Sequence, residues 1–179
     1  VAVNTTLSAS AGAIAAMILS WFHYSKPDPS MSLNGALAGL VGITAPCAVA
    51  DPIGSIFIGL IAGLLVVFSV EFIDKVLHID DPVGAVSVHG ICGVWGTLAV
   101  GLFGTTNGLF YGGGAAALGV QALGALSTFL WVTITAGLLF FILKKTSGLR
   151  VNEKEELMGL DISEHGTEAY SGFQIFSNM

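Results

Sequence analysis

The sequence predicts an all-α protein, a polytopic membrane helix bundle with five spans. Hydrophobic residues make up 54% of the 179 residues and charged residues only 10%, whereas an average soluble domain is about 25% charged. The mean hydropathy of the chain is +0.83. The apolar residues are gathered in long runs, and about 20 apolar residues are enough for a helix to cross the hydrocarbon core of a bilayer. Water is therefore not the main solvent of this chain.

Five apolar runs define the predicted spans within a transmembrane region of residues 1–145. The second run is the weakest, because Pro46 and several glycines interrupt it and an Asp51-Pro52 turn follows it. It predicts a helix that is short or bent near Pro46, where a neighbouring group must replace the hydrogen bond that a proline cannot donate. The five runs cover about residues 1–24, 33–50, 53–73, 83–104 and 115–143.

Two pairs of glycines indicate close packing of the predicted helices. Gly35 and Gly39 form a GxxxG pair in the second run, and Gly59 and Gly63 form another in the third. Small residues at this spacing let two membrane helices approach each other closely. Together the pairs favour contacts between helices over a surface that faces lipid.

The positive charges predict the orientation of the chain. With five spans, the loops at 25–32 and 74–82 and the tail after residue 143 all lie on one side of the membrane. Cytoplasmic loops are enriched in lysine and arginine, so this side is predicted to be the cytoplasm, with Val1 outside the cell and the C-terminus inside. All six cations of the chain fall on it: Lys26, Lys75, Lys144, Lys145, Arg150 and Lys154.

A cytoplasmic tail of residues 146–179 is predicted from an abrupt change in composition. Acidic residues and glycines recur through it, which favours short turns over one long helix. Two alternatives remain open: the tail is disordered, or it becomes ordered by lying on the cytoplasmic loops of its own or a neighbouring subunit. The second alternative depends on the apolar residues that recur in the tail, which are Leu149, Val151, Leu157, Met158, Leu160 and Ile162.

His89, a histidine inside the fourth apolar run, is the main candidate for a functional residue. The segment Asp80-Asp81-Pro82 precedes it and is predicted to cap its helix, with the proline at the first helical position. Ionisable residues within a membrane are costly and usually line a cavity or a relay. The alternatives for His89 are a pore or proton-relay ligand and a core histidine that is hydrogen-bonded to a neighbouring helix.

Small residues near His89 are predicted to thin one side of its helix, so that a neighbouring helix or a narrow pore lies close to the backbone. Of these residues, Ser87, Gly90 and Gly93 are expected to act as spacers around the ring. The small residues predicted to form this side of the helix are Gly90, Gly93, Gly96, Ala99 and Gly101.

The remaining patterns exclude several classes of protein. The net charge of −6 comes from a few loops and the tail, so it does not indicate a nucleic-acid partner. Cys47 and Cys92 lie far apart and outside any metal-ligand spacing, which favours two small buried thiols. His89 and Cys92 together would supply only two metal ligands. No phosphate-binding glycine loop or Ser/His/Asp set occurs, so the sequence predicts neither an enzyme nor a bound cofactor.

The motif around His89 resembles the penultimate membrane helix of the ammonium transporter (Amt/Mep/Rh) family, in its microbial Amt branch. It runs from Asp80-Asp81-Pro82 to Val88-His89-Gly90 and Cys92-Gly93. Three other stretches agree with this family in the same order, so the resemblance extends over the whole chain. They are Asn4-Thr5, the segment 35–41 with Thr44 and Cys47, and the tail motif Gly159-Leu160-Asp161 with His165-Gly166 and Ala169-Tyr170.

The resemblance implies a fold of eleven spans built as an inverted repeat, in which the five spans here resemble the seventh to the eleventh. The N-terminal half of that fold is missing from this chain and is its expected partner within the bilayer. The family forms homotrimers with one pore in each subunit.

The resemblance also implies transport of ammonium or ammonia across the plasma membrane through a narrow hydrophobic pore. His89 matches the second of two pore histidines, and Ala85 and Gly93 are expected beside it. An ammonium sensor on the same fold, signalling through the tail, is the alternative function. The tail residues expected to take part in regulation, with a cytoplasmic PII-type protein as partner, are Gly159, Asp161, His165, Gly166 and Tyr170.

Overall fold

The structure is a computed structural model that describes residues 1–169, and every regular element in this range is helical. The chain divides into two compact units, Val1–Phe129 and a second that begins at Leu130. The helices are α1 (Ala2–Tyr24), α2 (Pro29–Thr44), α3 (Pro52–Glu71), α4 (Cys92–Phe103), α5 (Ala116–Thr146), α6 (Glu153–Met158) and α7 (Leu160–His165). A π-helical turn at Phe72–Val76 extends α3, another at Val86–Ile91 precedes α4, and a 3₁₀ turn lies at Leu109–Tyr111.

Among the described residues, four helices are long and apolar enough to cross a membrane. They are α1, α3 with its π-helical turn, α4 with its π-helical turn, and α5. The helix in the remaining predicted span, α2, has 16 residues, which corresponds to a length of about 24 Å. It therefore falls short of a full hydrocarbon core of about 30 Å, and the count of five spans stays a prediction.

The bounds of α2 differ from the expected run of 33–50 because local capping sets them. The Asp28 side chain accepts a hydrogen bond from the Met31 amide at 2.9 Å, and Pro29 occupies the first helical position, so the helix begins earlier than the apolar run does. It ends at Thr44, two residues before Pro46. The prediction that this helix is short is confirmed.

A side chain from α1 supports the turn that follows α2. The Asn4 amide nitrogen donates to the carbonyl oxygens of Cys47 and Ala50, at 3.0 and 2.8 Å. From the other side, the Thr105 amide and hydroxyl both donate to the Val49 carbonyl, at 2.9 and 3.0 Å. The neighbour that compensates for the irregular backbone around Pro46 is therefore Asn4, as buried carbonyl groups without a partner would be costly.

Helix α1 lies between α2 and α3 and contacts both through two small residues, Ser8 and Gly12. A Cβ atom added to any glycine of the two GxxxG pairs would collide with the backbone of α1 at one of these two positions. The Ser8 hydroxyl, which is fully buried, also donates to the Gly39 carbonyl at 2.8 Å. The predicted close packing is confirmed, and α1 is the common partner of both pairs: Gly39 and Gly59 lie on Ser8, and Gly35 and Gly63 lie on Gly12.

Glu71 joins the ends of α1 and α3. His23 Nε2 lies 3.1 Å from Glu71 Oε2, and Lys75 Nζ lies 2.7 Å from Oε1. The Tyr24 hydroxyl donates to the same Oε1 at 3.1 Å. The contact between Glu71 and Lys75 therefore forms part of a larger polar cluster at this end of the bundle.

The loop between α4 and α5 is held on the start of α3. The Tyr111 hydroxyl donates to Asp51 Oδ2 at 2.5 Å, while Oδ1 caps α3 by accepting from the Gly54 amide at 2.6 Å. These two hydrogen bonds, that of Tyr111 first, hold the pKa of the Asp51 carboxyl below its ordinary value of 3.8, because both stabilise the charged form.

The Asp51 contact predicts an acid-sensitive loop. Since the folded-state pKa is lowered, the stabilisation is fully present above pH 3.8 and is lost as the pH falls through the folded-state value. We expect amide hydrogen exchange in residues 104–114 to accelerate below that pH, after correction for intrinsic rates. Tyr111→Phe should show the faster exchange already at pH 7, whereas Tyr24→Phe, at the opposite end of the bundle, should not. Equal protection of the loop in Tyr111→Phe and wild type at pH 7 would contradict this assignment.

The second unit contains the predicted tail, whose described part, up to residue 169, forms two six-residue helices rather than one long helix. The Asn152 side chain caps α6 by accepting from the Glu155 amide at 2.9 Å. Gly159 and Gly166 adopt φ values of 94° and 64° at the ends of α6 and α7, a region that L side chains rarely adopt. The tail is thus divided at the two positions where glycine is needed.

Candidate functional site

His89 lies in the π-helical turn Val86–Ile91, directly before α4. The bond that closes this turn runs from the Cys92 amide to the Ser87 carbonyl, five residues back instead of four. π-Helical turns are rare and are frequently found at functional sites. Nothing in the local sequence pattern predicts this turn.

The start of this helix corrects one prediction. Pro82 was expected at the first helical position, but it lies in a tight turn that the Gly84 amide closes on the Asp81 carbonyl at 2.9 Å. Gly84 has φ of +70°, and a Cβ there would approach the side chains of Asn34 and Val70 at 3.1 and 3.2 Å. The helix therefore begins only after Gly84, because the chain must reverse in this confined space first.

Asp81 caps the helix from a distance. Its carboxylate accepts three hydrogen bonds, from the Val86 amide at 3.0 Å, the Ser87 amide at 3.2 Å and the Ser87 hydroxyl at 3.0 Å. Burial raises the pKa of this carboxyl, but the hydrogen bonds outweigh burial and hold the pKa below its ordinary value. Asp81 is thus an ionised group with only 6% of its surface exposed.

Four residues share one side of the helix, which we call the open face: the predicted site residues Ala85, His89 and Gly93, and Gly90 between them. Ala85, His89 and Gly90 are exposed and Gly93 is half-buried. The His89 ring makes no hydrogen bond to any other described residue. The structure therefore brings Ala85, His89 and Gly93 together, and His89 is not a core histidine of this chain.

The small residues of this helix fall into two groups. A Cβ added at Gly90 or Gly93 would meet nothing closer than 3.7 Å, so the open face has room for larger side chains. A Cβ at Gly96 would instead lie 2.6 Å from the Gly42 carbonyl oxygen, and one at Gly101 would lie 2.5 Å from Leu118 Cα. Close helix contacts are thus confined to the second group.

The sequence led us to expect Ser87 to act as a spacer beside the His89 ring. The structure shows instead that Ser87 does not lie on the open face. Its side chain is fully buried and its hydroxyl is used by Asp81. It faces the interior of the bundle because the π-helical turn assigns Ser87, Val88 and Cys92 to the buried side.

Two side chains on the buried side anchor the helix to the backbone of α3. Cys92 Sγ lies 3.6 Å from the Ala62 carbonyl oxygen, and Trp95 Nε1 donates to the Ile58 carbonyl at 3.0 Å. The Trp95 ring also packs edge-on against Phe103, with ring centroids 6.4 Å apart. The predicted capping by Asp81 is confirmed, but sequence reasoning missed the anchoring roles of Trp95 and Cys92, since their partners lie at least 30 positions away.

The predicted tail residues lie in the second unit. Asp161 closes a small loop there, because its Oδ2 accepts from the Ala169 amide at 3.1 Å. This bond lowers the pKa of the Asp161 carboxyl. His165 ends α7 and Gly166 follows it, and Tyr170 lies outside the described residues. Within residues 1–169, no three His, Cys, Asp or Glu side chains gather into a metal site.

Comparison with known proteins gives consistent matches. The chain matches the model of the Ammonium Transporter Family over residues 1–170. It is 43% identical over 185 residues to the ammonium transporter Amt2 of Archaeoglobus fulgidus, and this alignment covers 97% of the chain and 39% of that protein.

Solved structures give the same result. A structure named "Sensor Amt Protein" superposes with a TM-score of 0.84 at 38% identity, covering 90% of this chain and 40% of that one. Mep2 of Candida albicans superposes with a TM-score of 0.77 at 26% identity, covering 86% and 36%. The chain therefore spans about 40% of the length of the proteins that it matches.

Proposed function

Because the chain belongs to the ammonium transporter family, a family of multi-pass membrane transporters and not of enzymes, we propose that it forms the C-terminal part of a transporter for ammonium or ammonia. Its spans would be the seventh to the eleventh of eleven, with Val1 outside the cell and the tail in the cytoplasm. The apolar helices α1, α3, α4 and α5 support this assignment. The remaining spans, from the half of the fold that this chain lacks, would cover its open face within the bilayer.

His89 is the proposed pore residue. The observation that carries this proposal is the position of its ring on the open face, beside Ala85 and two unobstructed glycines and without a hydrogen-bond partner in the described chain. A polar ring that is buried in a membrane needs such a partner. A second histidine from the N-terminal half would supply it.

A pair of neutral imidazoles suits ammonia as a guest. Each neutral ring has one donor and one acceptor nitrogen, and a hydrogen bond between the rings fixes which nitrogen carries the proton in each. The pair then offers one donor edge and one acceptor edge to a small molecule that can do both. Two charged rings side by side would repel each other, which disfavours passage of the pair through a doubly protonated state.

Replacement of His89 by alanine tests this role in the full-length transporter. We expect His89→Ala to fold normally and to change the preference for ammonium over potassium by about tenfold, the factor that corresponds to one lost hydrogen bond of about 1.4 kcal/mol. The measurement is uptake of labelled methylammonium with potassium as competitor, normalised to monodisperse protein. His78→Ala, in the loop before this helix, is the control. An unchanged preference in His89→Ala would refute the pore assignment.

Assembly and regulation complete the proposal. The family assignment supports a homotrimer with a pore in each subunit, and a PII-type protein that binds at the cytoplasmic side. In the tail, Leu157, Met158 and Ile162 are more than half exposed, so a docking surface for the tail on the loops or on a regulator would bury them.

A second candidate function is ammonium sensing through the tail. It is favoured by the match to the structure named "Sensor Amt Protein", which has higher identity to this chain than Mep2 has. In this case ammonium would bind in the same fold and the signal would leave through residues 147–179.

Deletion of the tail from Glu153 onward separates the two functions. A transporter with a regulatory tail should retain methylammonium uptake at an altered rate, by about twofold or more, because the apolar tail contacts are lost. A sensor that does not conduct should show no uptake before or after the deletion. Unchanged uptake after the deletion would contradict coupling between tail and pore. Matched expression, checked by size-exclusion profiles, is the control.

A further inference from the structure

Asp81 is a buried carboxylate without a cation. It has 6% of its surface exposed, and within residues 1–169 no lysine, arginine or histidine nitrogen lies within salt-bridge distance of it. All three hydrogen bonds to its side chain come from the two residues that open the π-helical turn, Val86 and Ser87. A buried charge is costly and persists only where its hydrogen bonds compensate for it. The compensating hydrogen bonds all come from a single turn of one helix, so the buried charge stabilises that turn.

Ser87 takes part in hydrogen bonds both to Asp81 before the turn and to Cys92 after it. Its amide and hydroxyl are held by Asp81, and its carbonyl accepts the bond from Cys92 that defines the π-helical turn. In a regular α-helix the same carbonyl would accept from residue 91. The Asp81 carboxylate therefore holds the residue on which the widened turn depends.

The widened turn decides the direction of the His89 side chain. Cys92 and Trp95 are anchored to the carbonyls of Ala62 and Ile58 on α3, so the helix after residue 91 is not free to rotate. Each residue of an α-helix turns about 100° around the axis. Removal of the extra residue would therefore turn the segment of His89 by about 100° relative to Cys92 and carry the ring away from the open face.

We propose that Asp81 and Ser87 are positioning residues for His89, which hold the π-helical turn Val86–Ile91 and thereby direct the ring to the open face. The pair is called the Asp81–Ser87 clasp. The expected effect on transport rests on the proposed pore role of His89. The expected effect on the direction of the side chain at position 89 is independent of that role.

A double-mutant cycle in the full-length transporter tests the functional part. We expect Ser87→Ala and Asp81→Asn each to lower the ammonium-over-potassium preference by about fivefold when His89 is present, and by less than about twofold in the His89→Ala background, because residues that act through one another are not additive. Ser55→Ala is the matched control. Its hydroxyl is equally buried and donates to the Asp51 carbonyl at 2.8 Å, far along α3 from the clasp, so it should leave the preference unchanged in both backgrounds.

Equal losses of preference in the two backgrounds would overturn the proposal, because the clasp would then act on the fold and not through His89. An unchanged preference in Ser87→Ala with His89 present would overturn it too. If His89→Ala alone leaves the preference unchanged, the pore assignment fails. The clasp is then tested by the accessibility of position 89 to a thiol reagent.

The geometric measurement is thiol modification at position 89. In a His89→Cys variant of the full-length transporter with Cys47 replaced by serine, a small neutral methanethiosulfonate should modify the introduced thiol, while buried Cys92 stays unmodified. Addition of Ser87→Ala should slow the modification by about tenfold, and addition of Ser55→Ala should not. An unchanged rate in the Ser87→Ala variant would overturn the clasp whatever the function of His89.

Discussion

Replacement of Gly59 by alanine is expected to destabilise the bundle by about 3 kcal/mol, at the upper end of the range for overpacked cores. A Cβ at this position would overlap the carbonyl oxygen of Ser8, and it would lie 2.7 Å from Ser8 Cα. The obstruction is backbone and not the end of a flexible side chain, so α1 and α3 must move apart. The same movement loosens the contact between α1 and α2, because Ser8 also lies on Gly39.

The measurement is the unfolding midpoint of purified protein in detergent, with Gly124→Ala as the control. Gly124 lies within α5, and a Cβ there would meet no atom within 4 Å. Both substitutions gain the same helix propensity, about 1 kcal/mol, so the difference between them reports the collision alone. A Gly59→Ala protein as stable as Gly124→Ala would show that the α1–α3 crossing is not close-packed.

Replacement of Asn4 by leucine should lower the free energy of unfolding by about 3 kcal/mol, through a mechanism different from that of Gly59→Ala. The substitution leaves the carbonyls of Cys47 and Ala50 without their donor, and each unsatisfied buried group costs about 1–3 kcal/mol. The added apolar side chain does not offset this loss, because the turn after α2 has no alternative donor from α1 at this point. Amide exchange in residues 45–50 should accelerate together with the fall in the unfolding midpoint.

Thr6→Val provides the control for the Asn4 substitution. Among residues 1–169, the Thr6 hydroxyl bonds only to the Ala2 carbonyl of its own helix, at 3.0 Å on an exposed face, so its loss should shift the midpoint little. If Asn4→Leu behaves like Thr6→Val, then the turn around Pro46 is held by Thr105 and not by Asn4.

Much of the bundle follows from local patterns in the sequence. Apolar runs correspond to α1, α3, α4 and α5 because a helix in lipid must satisfy its own backbone and present apolar side chains on all sides. The GxxxG pairs predict close packing because the absence of a side chain is itself the feature that permits it. The motif around His89 was enough to identify the family, which the comparisons confirm.

The sequence by itself therefore determined that this is an all-α membrane protein, which of its residues pack closely, and which histidine to consider as a ligand. The tertiary structure alone decided that α1 serves both glycine pairs, that α2 runs from Pro29 to Thr44, and that Pro82 lies in a turn. It also decided that a π-helical turn directs His89 to the open face. The physical reason is range: hydropathy and small-residue spacing act within one helix, whereas the anchors of Cys92 and Trp95 on α3 join residues 30 and 37 positions apart. Those distant contacts determine how the helix after residue 91 is rotated.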